Sequence, residues 1–276
     1  MIRTIIKSVI GKYLYSKLSF IYSLIINFER AFPQYALSRK TYVKDDKNKN
    51  IFSVRSLGGA TSLRAKSFYK KEPDTIEWIN GFEENSILFD IGANIGIYSL
   101  YAASKKTSVV AVEPDSLNFA ALNLNIYDNN FNKLIKAYPF SIDDKKVVSD
   151  LHKLEFRFGG STNSFDRIVN EDGKSFEPKF IQGSPSISLD NLSKNLGLKP
   201  SYIKIDVDGN ELKIINSMNS LLSNSNLISI LIELSENFHE HMQVIKILEK
   251  NNFKFISKRL CNEYNLTHNY IFEKNK

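Results

Sequence analysis

From residue 87 onward the chain alternates short, almost wholly apolar runs with longer stretches of helical periodicity. ILFDI (87–91), SVVAV (108–112) and LIKAY (134–138) read as strands, with helices over Ile97–Ser104 and Leu117–Tyr127 between them. The rhythm resumes with YIKID (202–206), a helix over Glu211–Leu222, LISILIEL (227–234), a helix over Glu240–Asn251, FKFIS (253–257) and a final run over 269–273. Such alternation specifies an α/β fold: seven strands in a mostly parallel sheet, with helices on both faces. Residues 147–186 break the pattern with Gly159-Gly160-Ser161-Thr162, Pro178, Gly183 and Pro185, and read as a long irregular insert of the kind that shapes a binding site.

Upstream, the polar stretch Lys44–Asn50 has no apolar periodicity and reads as a surface loop or linker. It divides the chain into an amino-terminal arm with linker, residues 1–50, and a domain of residues 51–276. Charge supports that division. Residues 1–44 hold eight basic side chains against Glu29 alone, while the other 232 residues carry 29 charges of each sign. The basic excess therefore belongs to the arm, which argues against nucleic acid lying across the main body. In the arm, Ile2, Ile5, Ile6, Val9, Tyr13 and Phe20 share one arc of a helix, with Arg3 and Lys7 away from it. Its longest uncharged run, Leu18–Phe28, has 11 residues. That is too short for a transmembrane helix, and no small-residue cleavage site follows. Two readings stay open, a cationic segment touching an anionic membrane surface and a helix packed on its own domain or a partner chain. The single cysteine, Cys261, excludes an intramolecular disulfide and fits a cytoplasmic protein, peripheral at the inner membrane surface if the arm binds lipid.

Candidate chemistry gathers where the first strand of the alternation turns into its helix, at Asp90-Ile-Gly92-Ala93-Asn94-Ile-Gly96. Open α/β sheets bind ligands at such strand ends, and glycines let the backbone come close to the ligand. A dinucleotide fingerprint needs glycine at position 94, where this chain has Asn94. A strand-end carboxylate such as Asp90 repels phosphate and suits an ammonium or sulfonium group. Glu113, at the end of the next strand, can accept both hydroxyls of an adenosine ribose. Two acids flanking a glycine-rich turn describe S-adenosylmethionine. Glu113 by itself is also compatible with a nicotinamide cofactor, and a ligand-free turn leaves both acids without a task.

Several stretches together resemble the FkbM family of S-adenosylmethionine-dependent methyltransferases, within the class I Rossmann-like fold. They are EPDTIEWI (72–79), FDIGANIGIYS (89–99), VAVEPD (110–115), SLDNL (188–192), YIKIDVDGNE (202–211) and ILIEL (230–234), in the family's order and at its spacing. The resemblance covers about residues 51–273 and leaves out the arm. Asp208 departs from it, since the family more often has Glu there. The resemblance implies that Asp90, Gly92, Ala93, Asn94 and Gly96 line the methionine part of the cofactor. It places Glu113 on the ribose with Pro114 and Asp115 beside it, and Ser141 and Asp143 on the adenine side. It also implies that the segment holding Thr61, Arg64, Glu72 and Trp78 packs over the cleft as a partial lid; as a charged fork, Arg64 is expected to pair with an anionic substrate or with Glu72. Trp78, on a helix with Ile76 and Ile79, reads as core. The implied reaction is O-methylation of a sugar or natural-product hydroxyl.

An alcohol acceptor must lose a proton, so a base near the methyl group is expected. Asp206 ends the strand at 202–206 with Lys204 two residues earlier on the same side of the pleat, and Glu233 lies near the end of the next strand, followed by His239. Asp206, Glu233 and His239 could supply the base or oxygen and nitrogen ligands for a divalent cation. No tight metal-ligand spacing is present, so no metal ligands are assigned. The sequence thus predicts an O-methyltransferase acting on a saccharide or surface-polysaccharide precursor. A natural product or protein amine as acceptor, and a non-catalytic cofactor-binding scaffold in polysaccharide assembly, are the alternatives. Nothing in the sequence fixes an oligomeric state.

Overall fold

The computed structural model describes residues 17, 18, 20, 21, 23, 39–262 and 266–275. The chain forms two compact units, Met1–Lys40 and Thr41–Lys276. Of the first, Lys17, Leu18, Phe20, Ile21 and Ser23 are helical, and Leu18, Phe20 and Ile21 are exposed. Apart from Phe20, the apolar arc expected for the arm lies outside the described residues. Among the described residues no helix is long and apolar enough to cross a membrane.

The second unit begins at Thr41 rather than near Ile51. Strands β1 (Lys40–Lys44) and β2 (Asn50–Arg55) form a two-stranded sheet whose turn is the polar stretch read as a linker. Asp45 Oδ1 closes the turn by accepting the Lys49 amide at 2.7 Å. Helices α1 (Gly59–Lys66), α2 (Phe68–Lys71) and α3 (Pro73–Asn80) follow, the last started by a proline whose missing N–H costs nothing in the first turn. The α/β alternation then runs β3 (Ile87–Ile91), α4 (Ile97–Ser104), β4 (Ser108–Val112), α5 (Ser116–Asp128) and β5 (Ile135–Tyr138). Strands β6 (Ser141–Ile142), β7 (Val148–Lys153), β8 (Asn163–Phe165) and β9 (Phe180–Ile187) come next. The chain continues with α6 (Leu189–Leu196), β10 (Tyr202–Ile205), α7 (Glu211–Asn216) and α8 (Asn219–Leu222). It ends with β11 (Ser229–Ser235), α9 (His239–Lys250), β12 (Phe253–Asn262) and β13 (Thr267–Lys274).

The main sheet has seven strands in the order β12-β13-β11-β10-β3-β4-β5. From β11 to β5 all neighbours are parallel, and β13 runs antiparallel to both β11 and β12. The central strands are apolar on both faces because both are covered, which is why they read as continuous runs. Alternation along each strand sends Leu88, Val109 and Leu231 into one core with α1, α3, α4 and α5. Phe89, Val110, Ile203 and Ile230 enter the other, with α6 to α9. Trp78 is in the first core, its indole N–H donating to Ser229 Oγ at 2.9 Å.

Two expectations change. The insert at 147–186 is largely ordered: β7, β8 and β9 join β6 in a second sheet, order β6-β9-β7-β8. The helix expected over Glu211–Leu222 breaks into α7 and α8. Ser217, at the break, accepts the Leu189 amide on its hydroxyl and the Asp190 amide on its carbonyl, so the start of α6 docks into the gap. Asp190 in turn accepts the amides of Ser220 and Leu221 at the start of α8.

Candidate active site

A cleft of about 470 Å³ opens at the carboxyl ends of β3, β4, β10 and β11, walled by α1 and α2 on one side and by the second sheet on another. Its floor is the turn after β3. Gly92 has φ 80°, and a Cβ there would run into the carbonyl oxygen of Asp206, so only glycine fits. Asn94 also adopts a left-handed conformation, φ 52°, which asparagine tolerates. The Asn94 amide donates to Glu113 Oε2 at 2.7 Å, and the Asp115 amide donates to Glu113 Oε1 at 2.9 Å. Each Glu113 oxygen accepts one backbone bond and keeps a second lone pair. Burial pushes this carboxyl up to about 8, against the Asp115 and Asn94 backbone bonds, which lower it.

A turn of the insert roofs this floor. Asn94 Nδ2 and Asn118 Nδ2 donate to the Gly160 carbonyl at 2.8 and 3.1 Å, and Asn118 Oδ1 accepts the Gly159 amide at 2.8 Å. From α1, Arg64 Nε donates to the Gly159 carbonyl at 3.2 Å. The Gly159–Gly160 turn is thus held by the β3–α4 turn, α5 and α1 together.

At the β10 and β11 ends the cleft meets a cluster of charges. Asp206 Oδ2 accepts from Lys204 Nζ at 2.7 Å. Lys204 is fully buried and lies in register with Asp90 on β3. Burial would discharge Lys204, but Asp206, Glu72 and Asp90 outweigh it and hold the ammonium above its ordinary value. Burial of Asp206 is likewise outweighed by Lys204 and Lys71, so its carboxyl lies below the ordinary range. Glu233 behaves in the opposite way. Burial, then the charges of Asp206 and Glu72, push it well above the ordinary carboxylate range. Two carboxyl groups facing one cleft are therefore split into an anion and a group of high proton affinity.

Gly92, Asn94, Glu113, Pro114, Ser141, Arg64, Asp206 and Glu233, all expected at the site, line the cleft. The other expected residues lie behind it or away from it. Asp90 is buried, bonded to Ser99 Oγ at 2.5 Å through Oδ2, with Oδ1 unpartnered among the described residues. Ala93 and Gly96 are buried, Gly96 against Leu122. Asp115 caps α5, accepting the Leu117 and Asn118 amides at 2.8 and 2.9 Å, and pairs with fully buried Lys153. Asp143 pairs with Lys213 at 3.1 Å. Glu72 pairs with Lys71 at 2.9 Å, so Arg64 bonds Gly159 instead. His239 is exposed at the start of α9 and outside the lining. The buried histidine is His241: its Nδ1 accepts the Ser235 amide at 2.8 Å, which leaves the proton on Nε2 for Glu211 Oε2 at 2.7 Å.

Residues not singled out from the sequence also face the cleft. Lys71 and Cys261 line its charged end. Asn163, Asn210 and Glu171 line the side toward the insert with Asp208, whose carboxyl is pushed up to about 7 by burial and by Glu171. Phe140, Ile142, Leu151, Phe165 and Ile214 supply apolar side chains to the lining. The insert and the departure at Asp208 were the sequence signals for this side, whereas no local pattern marks Lys71. Among the described residues no group of three or more His, Cys, Asp or Glu side chains is placed to hold a metal ion.

A family model, the methyltransferase FkbM domain, matches residues 90–255. A hexuronic acid methyltransferase of Haloferax volcanii, AglP, is 28% identical over 146 residues, 53% of this chain and 55% of that protein. The chain thus spans about half the length of this curated relative. Among solved structures, precorrin-6y C5,15-methyltransferase from Geobacter metallireducens has 10% identity and a TM-score of 0.46 over 76% of this chain and 93% of that one. An rRNA methylase from Streptococcus thermophilus has 9% identity and a TM-score of 0.46 over 74% and 95%.

Proposed function

Since the chain belongs to the FkbM methyltransferase family, we propose that it is an S-adenosylmethionine-dependent O-methyltransferase acting on a saccharide hydroxyl. The observation that carries the reading is the single cleft joining the Gly92–Asn94–Glu113 floor to Asp206 and Glu233. The residues fit an adenosine ligand with a cationic tail. Once ionised, Glu113 has a lone pair free on each oxygen for the ribose hydroxyls, and the apolar part of the lining, with Ile142 and Phe165, suits a flat base. The bare backbone at Gly92 admits the chain of the amino-acid part. When bound, the cofactor supplies a methyl group made electrophilic by a positively charged sulfur.

The protein's task is then to bring an acceptor oxygen into line and take up its proton. Glu233 has the proton affinity for that role, and Asp206, fixed by Lys204, orients the acceptor by hydrogen bonding. A saccharide is supported by the hexuronic acid methyltransferase among the relatives. The basic segment ahead of β1 would bring the enzyme to an anionic membrane surface, where lipid-linked precursors reside.

Calorimetric titration with S-adenosylmethionine, S-adenosylhomocysteine and NAD tests the reading. Micromolar binding of the first two, lost in Glu113→Ala, is the expected outcome; absence of both, or binding of NAD instead, would remove it. A methyl ether resists mild alkali and a methyl ester does not, so alkali treatment of the product establishes which oxygen is methylated.

A further inference from the structure

Of the three cations at the charged end of the cleft, two are taken up in ion pairs with its carboxyls. Lys204 is bonded to Asp206 and Lys71 to Glu72. Arg64 spends only Nε, on the Gly159 carbonyl, and among the described residues its two terminal nitrogens donate to no acceptor. Both Arg64 and Lys71 line the cleft, from the last turns of successive helices α1 and α2. Lys71 is about half exposed and makes a single ion pair, so its ammonium has donors to spare. Burial and then Arg64 disfavour the charged form of Lys71, but Glu72, Asp206 and Glu233 outweigh them and keep it an ammonium. Two like charges facing one cavity, one a planar fork with free donors, leave a position that an oxyanion would fill.

We propose that Arg64 and Lys71 form a subsite for a carboxylate on the acceptor, so that the sugar methylated is an acidic one. This rests on the reading of the cleft as a methyltransferase site. The anchored carboxylate would set the sugar ring against the wall that carries Asp206 and Glu233, presenting one hydroxyl to them. Because Arg64 also holds the Gly159 carbonyl, the guanidinium is fixed in direction before the acceptor arrives. A preorganised fork of this kind selects for a planar carboxylate more strongly than a mobile lysine does.

The test uses the full-length protein saturated with S-adenosylhomocysteine, with methyl glucuronide, methyl glucoside and glucose 1-phosphate titrated separately by ligand-observed NMR. Expected is binding of the glucuronide about tenfold to a hundredfold tighter than the glucoside, the range for charge-assisted hydrogen bonds. In Arg64→Gln the preference collapses, while Arg64→Lys, which keeps the charge without the fork, retains part of it and serves if the Gln variant does not fold. Equal binding of glucuronide and glucoside, binding of neither, preference for the phosphate, or a preference that survives in Arg64→Gln would each overturn the proposal. Failure of S-adenosylhomocysteine itself to bind would instead overturn the methyltransferase reading on which it rests.

Discussion

Glu233 and Asp206 show how far single residues can be read in advance. Their position at adjacent strand ends follows from the apolar runs that precede them, so their place in the cleft was legible. Their split in proton affinity was not, because Asp206 is held down by the Lys204 ammonium while Glu233 is pushed up by burial, and neither influence can be read from the local sequence. Asp90 and Asp115 mark the limit from the other side. Each sits where a strand ends near the ligand cleft, but Ser99 takes an oxygen of one and Lys153, from the distant insert, pairs with the other. No local rule announces such partners. The split between the two carboxyls has a kinetic signature. Since a base must be ionised to accept a proton, and burial raises Glu233, the rate should climb with pH along a limb lying above the ordinary carboxylate range. Glu233→Gln should lose that limb and lower kcat by about a hundredfold or more, as removal of a positioned base does. A pH–rate profile measured at saturating cofactor gives the answer; an unchanged limb in the variant would transfer the role to another group.

At the scale of elements, β3 and β4 were legible to the residue because strands buried on both faces read as nearly unbroken apolar runs, with Asp90 and Ser108 their polar positions. The strands of the second sheet escaped for the opposite reason. VSDLHK, NSF and FIQGSPSI are short and polar, and the last holds Gly183 and Pro185, which disfavour strand in isolation. The break between α7 and α8 was hidden as well, since Ser217 is an ordinary helix residue until the start of α6 docks against it. Histidine 241 joins elements that carry the site, linking the end of β11 to the start of α7 just beyond Asp208. His241→Ala should strand the Ser235 amide and the Glu211 carboxylate, costing about 1–3 kcal/mol for buried groups left unsatisfied. Urea titration of the purified variant measures this, and a midpoint equal to that of the unsubstituted protein would show that the bridge contributes nothing.

For the whole molecule, the change of composition between arm and domain was legible, but the boundary was not. The polar stretch at Lys44–Asn50 is the turn of a strand pair belonging to the larger unit, tied to α5 through Asn129, Asn125 and Asp128. A deletion meant to test the arm should therefore stop at residue 38 and spare β1. Residues 1–38 contain five basic side chains, each worth about 1 kcal/mol near an anionic surface. Their removal should abolish sedimentation with phosphatidylserine vesicles while leaving S-adenosylhomocysteine affinity unchanged. Aggregation or altered oligomeric state of the shortened protein would favour the packing reading instead.

With cofactor and acceptor placed as proposed, the Gly159–Gly160 turn would impose an order of events on catalysis. It is tethered to Asn94 and Asn118 above the cofactor floor and to Arg64 on the acceptor side. While those bonds hold, an acceptor would still reach the cleft past α1 and α2, whereas an adenosine ligand on the floor would be covered. Exchange of the spent cofactor would then wait on the turn letting go. Turnover would be paced by the residence time of S-adenosylhomocysteine, and the demethylated product would compete with fresh cofactor but not with sugar.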